Sequence, residues 1–323
     1  MDRRTACLAL GSLPTLSTQA KAQRIRRIAW TSVNSANPPS PFLDSFRTSL
    51  RTLGWAEGSN LAIDTWWGEG SVEGLKKLVP AILADRPDLI VSAGGPATRV
   101  MIDSNVRVPI AFTVSADAVV AKFVESWTRP GVNRTGISFF SLELLPKRIQ
   151  LIHEVLPEMK RMALVGWPPH AGELLELEAA TKAVEERGLQ HRYWGAHTLA
   201  ELDAVLDAVV QWKADAVLVF AGGLASLNGR RFAAFAADQR IPAFSSWSSF
   251  ADEGNLMTYG PVIGECYARL ASFADRIMRG AKPETIPVER PTKFELMIDI
   301  KAAKAIGIAV PRLILLSADR TIV

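Results

Sequence analysis

Between residues 25 and 260 the chain passes through one order of strand-length apolar runs, amphipathic stretches and glycine turns, and then passes through it again. Lys160-Arg161-Met162-Ala163-Leu164-Val165 answers Arg26-Arg27-Ile28-Ala29-Trp30, and Arg187-Gly188-Leu189 answers Leu53-Gly54-Trp55. Asp215-Ala216-Val217-Leu218-Val219, running into Gly222-Gly223, answers Asp88-Leu89-Ile90-Val91, running into Gly94-Gly95. Ile241-Pro242-Ala243-Phe244 answers Val108-Pro109-Ile110-Ala111-Phe112. The pairs Ala29/Ala163, Gly54/Gly188, Asp88/Asp215 and Pro109/Pro242 are offset by 134, 134, 127 and 133 residues. Four ordered matches at a nearly constant offset imply two lobes of one architecture. A chain of 323 residues has room for a core in each.

Within a lobe the alternation sets the fold class. Strand-length runs at residues 25–31, 61–66, 89–93 and 110–114 are separated by helical patterns at 41–53, 74–84 and 97–104. Strands that alternate with helices build parallel sheets, because a parallel connection must be long enough to hold a crossover helix. The expected fold is α/β, two similar doubly wound parallel-sheet lobes joined by a hinge. Ligands bind such sheets beyond the carboxyl ends of the strands, so two sheets side by side share one crevice. The loops that face it are residues 32–37, 94–98 and 115–118 from the first lobe and 167–170, 221–226 and 245–247 from the second.

Those loops give the candidate ligand-binding residues. From the first lobe they are Ser32, Asn34, Gly94, Gly95, Pro96, Ala97, Thr98, Ser115 and Asp117; from the second, Trp167, Gly222, Gly223, Ser246 and Trp247. The glycine turn at 94–98 opens a helix and can present backbone N–H groups to an anion such as a carboxylate. Trp30, Trp167 and Trp247 fall at strand ends, where an indole face can stack on a planar solute, with Trp66 and Trp67 as alternatives.

Catalytic signatures are missing from the sequence. No G-x-G-x-x-G follows the first strand, no G-x-x-x-x-G-K-[ST] occurs, and no G-x-S-x-G elbow is present. The four histidines, His153, His170, His191 and His197, have no metal-binding spacing, and only His170 is expected at the cleft mouth. Cys7 and Cys266 make neither a zinc site nor a redox pair. No catalytic residue, metal or cofactor is therefore expected. Lys plus Arg number 37 against 33 Asp plus Glu, a small excess with no clustered patch, which argues against a nucleic-acid partner.

The first 22 residues read as an export signal: Arg3 and Arg4, a short apolar stretch, then Ala20-Lys21-Ala22 as a cleavage site. No later segment holds the 20 or so uninterrupted apolar residues of a membrane span. A protein exported to the periplasm, soluble after cleavage, is the expectation.

Several strings carry a family resemblance. Leu53-Gly54-Trp55-x-Glu57-Gly58-x-Asn60, Gly131-x-Asn133-x-Thr135-Gly136, Gly254-x-Leu256-Met257-x-Tyr259-Gly260 and above all Pro287-Val288-Glu289-x-Pro291-Thr292-Lys293-Phe294-Glu295-Leu296 resemble the ABC-transporter substrate-binding proteins that include tryptophan- and tyrosine-binding members. The likeness runs through Lys301-x-Ala303-Lys304-x-x-Gly307 to Ala318-Asp319. It implies a type I periplasmic-binding-protein fold. It also implies a monomeric solute-binding component of an ABC importer, closing on a small carboxylate-bearing solute such as an aromatic amino acid or related acid and delivering it to a membrane permease.

The resemblance makes Asp117 the candidate for a ligand ammonium, although Ala118 stands where the family often has proline; helix capping is the alternative for Asp117. Where the second lobe of the family often has an acidic residue, this chain has Gly222-Gly223. A two-lobed transferase using Asp117 or Glu143 as base, and a ligand sensor, are the rival functions. The expected lobes are residues 23–138 with about 258–285 returning to the first, and 139–257 with about 286–323 returning to the second. Crossings are expected within 136–145, 255–261 and 286–291.

Overall fold

In the computed structural model, which describes residues 24–37, 40–139, 141–170 and 172–323, the repeated grammar becomes two sheets. The first lobe runs β1 (Arg26–Ser32), α1 (Pro41–Thr52), β2 (Leu61–Trp67), α2 (Val72–Ala84), β3 (Leu89–Ala93), α3 (Gly95–Asp103), β4 (Ile110–Val114) and β5 (Arg134–Ser138). The second runs α4 (Ser141–Val155), β6 (Arg161–Gly166), α5 (Glu173–Glu185), β7 (Gln190–Gly195), α6 (Leu199–Gln211), β8 (Ala216–Val219), α7 (Gly223–Gln239), β9 (Ala243–Ser245), α8 (Ser248–Asp252) and β10 (Met257–Pro261). The chain then gives α9 (Ile263–Met278), β11 (Phe294–Asp299), α10 (Ile300–Ala305), α11 (Arg312–Ser317) and β12 (Arg320–Ile322).

The strand order of the first sheet is β2-β1-β3-β4-β5, all parallel. The second contains β7-β6-β8-β9-β10, the same order strand for strand, and adds β11 antiparallel to β10 with β12 parallel beyond it. This is the doubly wound order whose switch point, between the first and third strands, opens a crevice for ligands. The central strands are buried on both faces, which is why their sequences read as unbroken apolar runs.

Among the described residues, three crossings join the lobes. The first lies between β5 and α4, the second between β10 and α9, and the third between Glu289 and β11. The second differs from the expected return at about residue 258: β10 is paired on one side to β9 and on the other to β11, so the chain stays in the second sheet through Pro261. The third also comes later than residue 286. Ile286 and Val288 are buried in the first lobe, and Glu289 exchanges backbone hydrogen bonds of 3.0 Å with Gly136 and Ser138. The sequence reading of an export signal falls on residues outside those described. Among the described residues, no helix is long and apolar enough to cross a membrane.

Helix α9 matters most for the site. Its apolar residues Ile263, Tyr267, Leu270, Ala274 and Ile277 recur at helical spacing and pack on Leu43, Phe46 and Leu50 of α1, under Ile28 and Trp30 of β1. Ser40 caps α1 by accepting from the Leu43 N–H, and Pro41 fits the first helical position, where no N–H is needed. Burial of each large apolar side chain in this seam stabilises the lobe by roughly 1.5–3 kcal/mol. The seam thus holds a residue from after the second crossing rigidly beside the first sheet.

Candidate functional site

Between the two sheets lies a cavity whose walls come from strand ends of both lobes. From the first lobe come Trp30, Ser32, Val33 and Asn34 around the end of β1, Ala93 to Pro96 after β3, Ser115 after β4 and Phe139 after β5. Ser40, Phe42, Ile263 and Tyr267 join them from α1 and α9. From the second lobe come Trp167, His170, Gly222, Gly223 and Trp247. The void, open mouth included, is about 690 Å³. A more open groove at the lip, lined by Arg99, Lys122, Pro169 and His197, shares Pro96 and Trp167 with it.

The first-lobe wall is aromatic and centred on Tyr267. Phe42 stacks on its ring at 5.0 Å between centroids, Trp30 leans against it at 5.5 Å, and Phe139 meets it edge-on at 6.2 Å. Phe139 also meets Trp247 edge-on at 6.4 Å, carrying the aromatic chain to the second lobe. The Tyr267 hydroxyl is set by a relay: the Gly94 N–H donates to Thr113 Oγ1 at 3.1 Å, and Thr113 Oγ1 donates to the Tyr267 oxygen at 2.9 Å. The phenol's own proton is left for another acceptor. Burial pushes the phenol above its ordinary range, so it keeps that proton. Gly94 sits at φ 100°, a backbone region that L side chains rarely adopt, and this lets β3 turn at once into α3.

A second relay crosses the cleft. The Gly172 N–H donates to His170 Nδ1 at 3.3 Å, which assigns the ring proton to Nε2; that nitrogen lies 2.6 Å from Ser115 Oγ and donates to it. The Ser115 proton is then free for a ligand. Burial lowers His170 from 6.5 to about 4, so the ring is neutral at pH 7. A serine nucleophile would need Nε2 as acceptor and Nδ1–H directed at a carboxylate. The ring here has the opposite polarity.

Beside His170 the second lobe buries three charged side chains, Arg148, Glu173 and Glu176. Burial, and next Glu173, raise Glu176 well above the usual carboxylate range, opposed by the Arg148 guanidinium. Burial also raises Glu173, against the hydrogen bond it accepts from Tyr193 at 2.7 Å. Burial lowers Arg148 to about 10, and its Nε donates to the Tyr259 carbonyl of β10 at 2.9 Å. One atom each of His170, Glu173 and Glu176 lie within 4.8 Å of one another. Both ring nitrogens are already engaged, and the Arg148 guanidinium is the positive charge that favours the ionised form of Glu176.

Ten of the fourteen sequence candidates line the one cavity: Ser32, Asn34, Gly94, Gly95, Pro96, Ser115, Trp167, Gly222, Gly223 and Trp247. Four lie off it. Ala97 is packed in the first-lobe core, and the Thr98 hydroxyl bonds to Ser92 and to the Gly94 carbonyl within its own turn. Ser246 is buried, its Oγ without a partner among the described residues. Asp117 accepts the backbone N–H groups of Val119 at 2.8 Å and Val120 at 3.0 Å, a capping turn. Sequence reasoning missed Phe42, Phe139, Ile263 and Tyr267. The one available signal for Tyr267 was a residue with a polar tip in the apolar stripe of α9.

Residues 41–322 match the family model of ABC transporter substrate binding proteins. The chain belongs to that family. Among solved structures, this substrate-binding protein is similar to a conserved domain protein from Vibrio cholerae O1 biovar El Tor strain N16961, at 23% identity and TM-score 0.85, over 92% of this chain and all 100% of that one. It is similar at 19% identity and TM-score 0.85, over 92% and 100%, to an ABC domain from Streptococcus pneumonia in complex with L-Trp. A ligand-free, open substrate-binding protein with adhesive properties from Clostridium difficile matches at 20% identity and TM-score 0.66, over 92% and 99%. At these identities the likeness is one of fold, and the fold of this substrate-binding protein is the type I periplasmic-binding-protein one. No curated protein matches the sequence.

Proposed function

We propose that this substrate-binding protein is the extracytoplasmic solute-binding component of an ABC importer. It is exported by its N-terminal signal and works as a monomer. Its lobes close on a small carboxylate-bearing solute, an aromatic amino acid or related aromatic acid, which it delivers to a membrane permease. The observation that carries this reading is the cavity itself: an aromatic first-lobe wall faces Trp167 and Gly222-Gly223 of the second lobe, at the switch points of both sheets. Such a slot fits a flat ring, and its helix starts at Gly95 and Gly223 favour negative charge. The pneumococcal neighbour's L-Trp supports the size and aromatic character of the solute. That this chain superposes better on that L-Trp complex than on the open, ligand-free neighbour supports a closed arrangement of the lobes.

The test is mass spectrometry of small molecules released on denaturing the purified protein, followed by thermal shift with whatever is released. A solute at 100 times its dissociation constant adds about 2.7 kcal/mol of stability. An aromatic acid or aromatic amino acid that restores the shift supports the reading. A bound solute consumed on incubation, or no response to a panel of aromatic acids and amino acids, overturns it.

A further inference from the structure

We infer that the cleft selects an aromatic acid carrying no ammonium group, its carboxylate held by hydroxyl protons from Ser115 and Tyr267. The inference rests on the reading of the interlobe cavity as the solute site and narrows it.

Both relays end the same way. In each, a backbone N–H starts the chain, an intermediate group passes the polarity on, and a hydroxyl lining the cavity is left with its proton unspent: Gly94 through Thr113 to Tyr267, and Gly172 through His170 to Ser115. Each relay occupies one lone pair of its terminal hydroxyl and leaves the proton to donate. Trp30 and Trp247 also line the cavity, and their indole nitrogens, which donate only, have no partner among the described residues. Trp30 is 1% exposed, so its N–H cannot turn to bulk water instead. Helices α3 and α7 both begin at this cavity and set their positive ends there. Every one of these features is matched by an acceptor bearing negative charge.

No described carboxylate in the cavity wall balances a cation. Among the described residues that line the cavity, none is Asp or Glu. Of the acids nearby, Glu69 accepts from the Ser35 hydroxyl at 2.5 Å, Asp117 from two backbone N–H groups and Glu173 from Tyr193, Glu176 is buried beside His170 where burial favours its protonated form, and Glu73 lines only the open groove at the lip. An ammonium taken from water into such a site without a carboxylate loses its hydration and gains no ion pair. Aromatic faces attract cations, but here two helix N-termini oppose the same charge. The carboxylate needs no cationic partner, because a carboxylate accepting several well-placed N–H and O–H bonds is stabilised by them.

Matched pairs test this with the purified wild-type protein, by calorimetric titration and thermal shift at pH 7. The pairs are 3-phenylpropionate against phenylalanine and indole-3-propionate against tryptophan, with phenethylamine and choline as cations. The expected result is that each acid binds at least tenfold tighter than its amino acid and that the cations do not bind. Amino acids binding as tightly as the acids, or more so, would overturn the inference while leaving the solute-binding reading intact. Binding of the cations alone would overturn the inference and the carboxylate class together. Silence from all six compounds would overturn the inference along with the aromatic solute class. Ser115→Ala and Tyr267→Phe should each lower affinity for the tighter acid at least tenfold, with far-UV circular dichroism unchanged; unaltered affinity in both would remove the assigned donors.

Discussion

Ser115 Oγ of the first lobe and His170 Nε2 of the second lie 2.6 Å apart, a buried hydrogen bond made only when the lobes meet. It ties lobe contact to the protonation of one imidazole. Burial holds His170 at about 4 against an ordinary 6.5, so between those values the unfolded chain binds a proton that the folded form excludes. Stability from this residue is therefore full above pH 6.5 and is lost as pH falls toward 4. At about 1.4 kcal/mol per pH unit the loss is roughly 3 kcal/mol. Glu173 and Glu176, both raised, work with the opposite sign: the folded form keeps protons that the unfolded chain releases, so their contribution weakens as pH rises above the ordinary carboxylate value. The difference between wild type and His170→Gln isolates the imidazole, since Gln keeps an N–H near Ser115. Urea midpoints at pH 7 and 4.5 should show wild type losing more stability than the variant, and equal losses would dismiss the coupling.

Gly172 of the second lobe lies close against Ala116 of the first. A Cβ placed there would lie 2.8 Å from Ala116 Cβ and 3.2 Å from Ala116 Cα across the cleft. Its φ of −99° suits alanine, so the backbone itself would not be strained. Gly172→Ala should push the lobes apart, with stability of the ligand-free protein changed by about 1 kcal/mol or less. Solute affinity should drop at least tenfold, and small-angle scattering should show a larger radius of gyration with solute present than wild type gives. Unchanged affinity would mean that the lobes need not approach this closely.

Much of this architecture was legible because buried parallel strands leave continuous apolar runs, and because the runs repeat. The matched strings at Asp88 and Asp215 lead into β3 and β8, which hold the same place in their two sheets, and the glycine turns after them line one cavity. What stayed hidden has physical reasons. Tyr267 meets Thr113 across 154 residues, and only the packing of α9 on α1 brings it there. In the sequence it is one more large side chain in an apolar stripe. Ala97, Thr98 and Ser246 sit beside true lining residues but point elsewhere, since a loop's position fixes its place and not the direction of each side chain. The antiparallel β11 lies beyond the repeat, where the first lobe offers no template.

Arg148 and Glu176 are both about 1% exposed, so neither can regain water if the other is removed. Arg148→Met would remove the charge that opposes the protonation of Glu176 and would deprive the Tyr259 carbonyl of its donor. A destabilisation of about 1–3 kcal/mol is expected, the cost of a buried acceptor left unpaired. Glu176→Gln should cost much less, because burial already favours its protonated form, and the double variant should be more stable than Arg148→Met alone. Chemical denaturation of the three proteins at pH 7 checks the order. A double variant as unstable as the sum of the singles would show that the two groups do not interact.

Asp117 offers the sharpest division between holding the chain and holding a solute. Its Oδ1 accepts from Val119 and Val120, and it stands outside the cavity lining. Asp117→Ala should therefore cost about 1 kcal/mol of stability through two lost backbone acceptor contacts. Asp117→Asn should restore most of it, since an amide oxygen caps such a turn nearly as well as a carboxylate. Neither variant should move the affinity for an aromatic acid by more than about twofold, because no charge facing the solute is removed. The decisive comparison is Asp117→Asn, which keeps the cap and deletes only the charge. If that variant folds with wild-type stability and yet loses binding, the carboxylate meets the solute, and a ligand ammonium becomes the simplest reason for it.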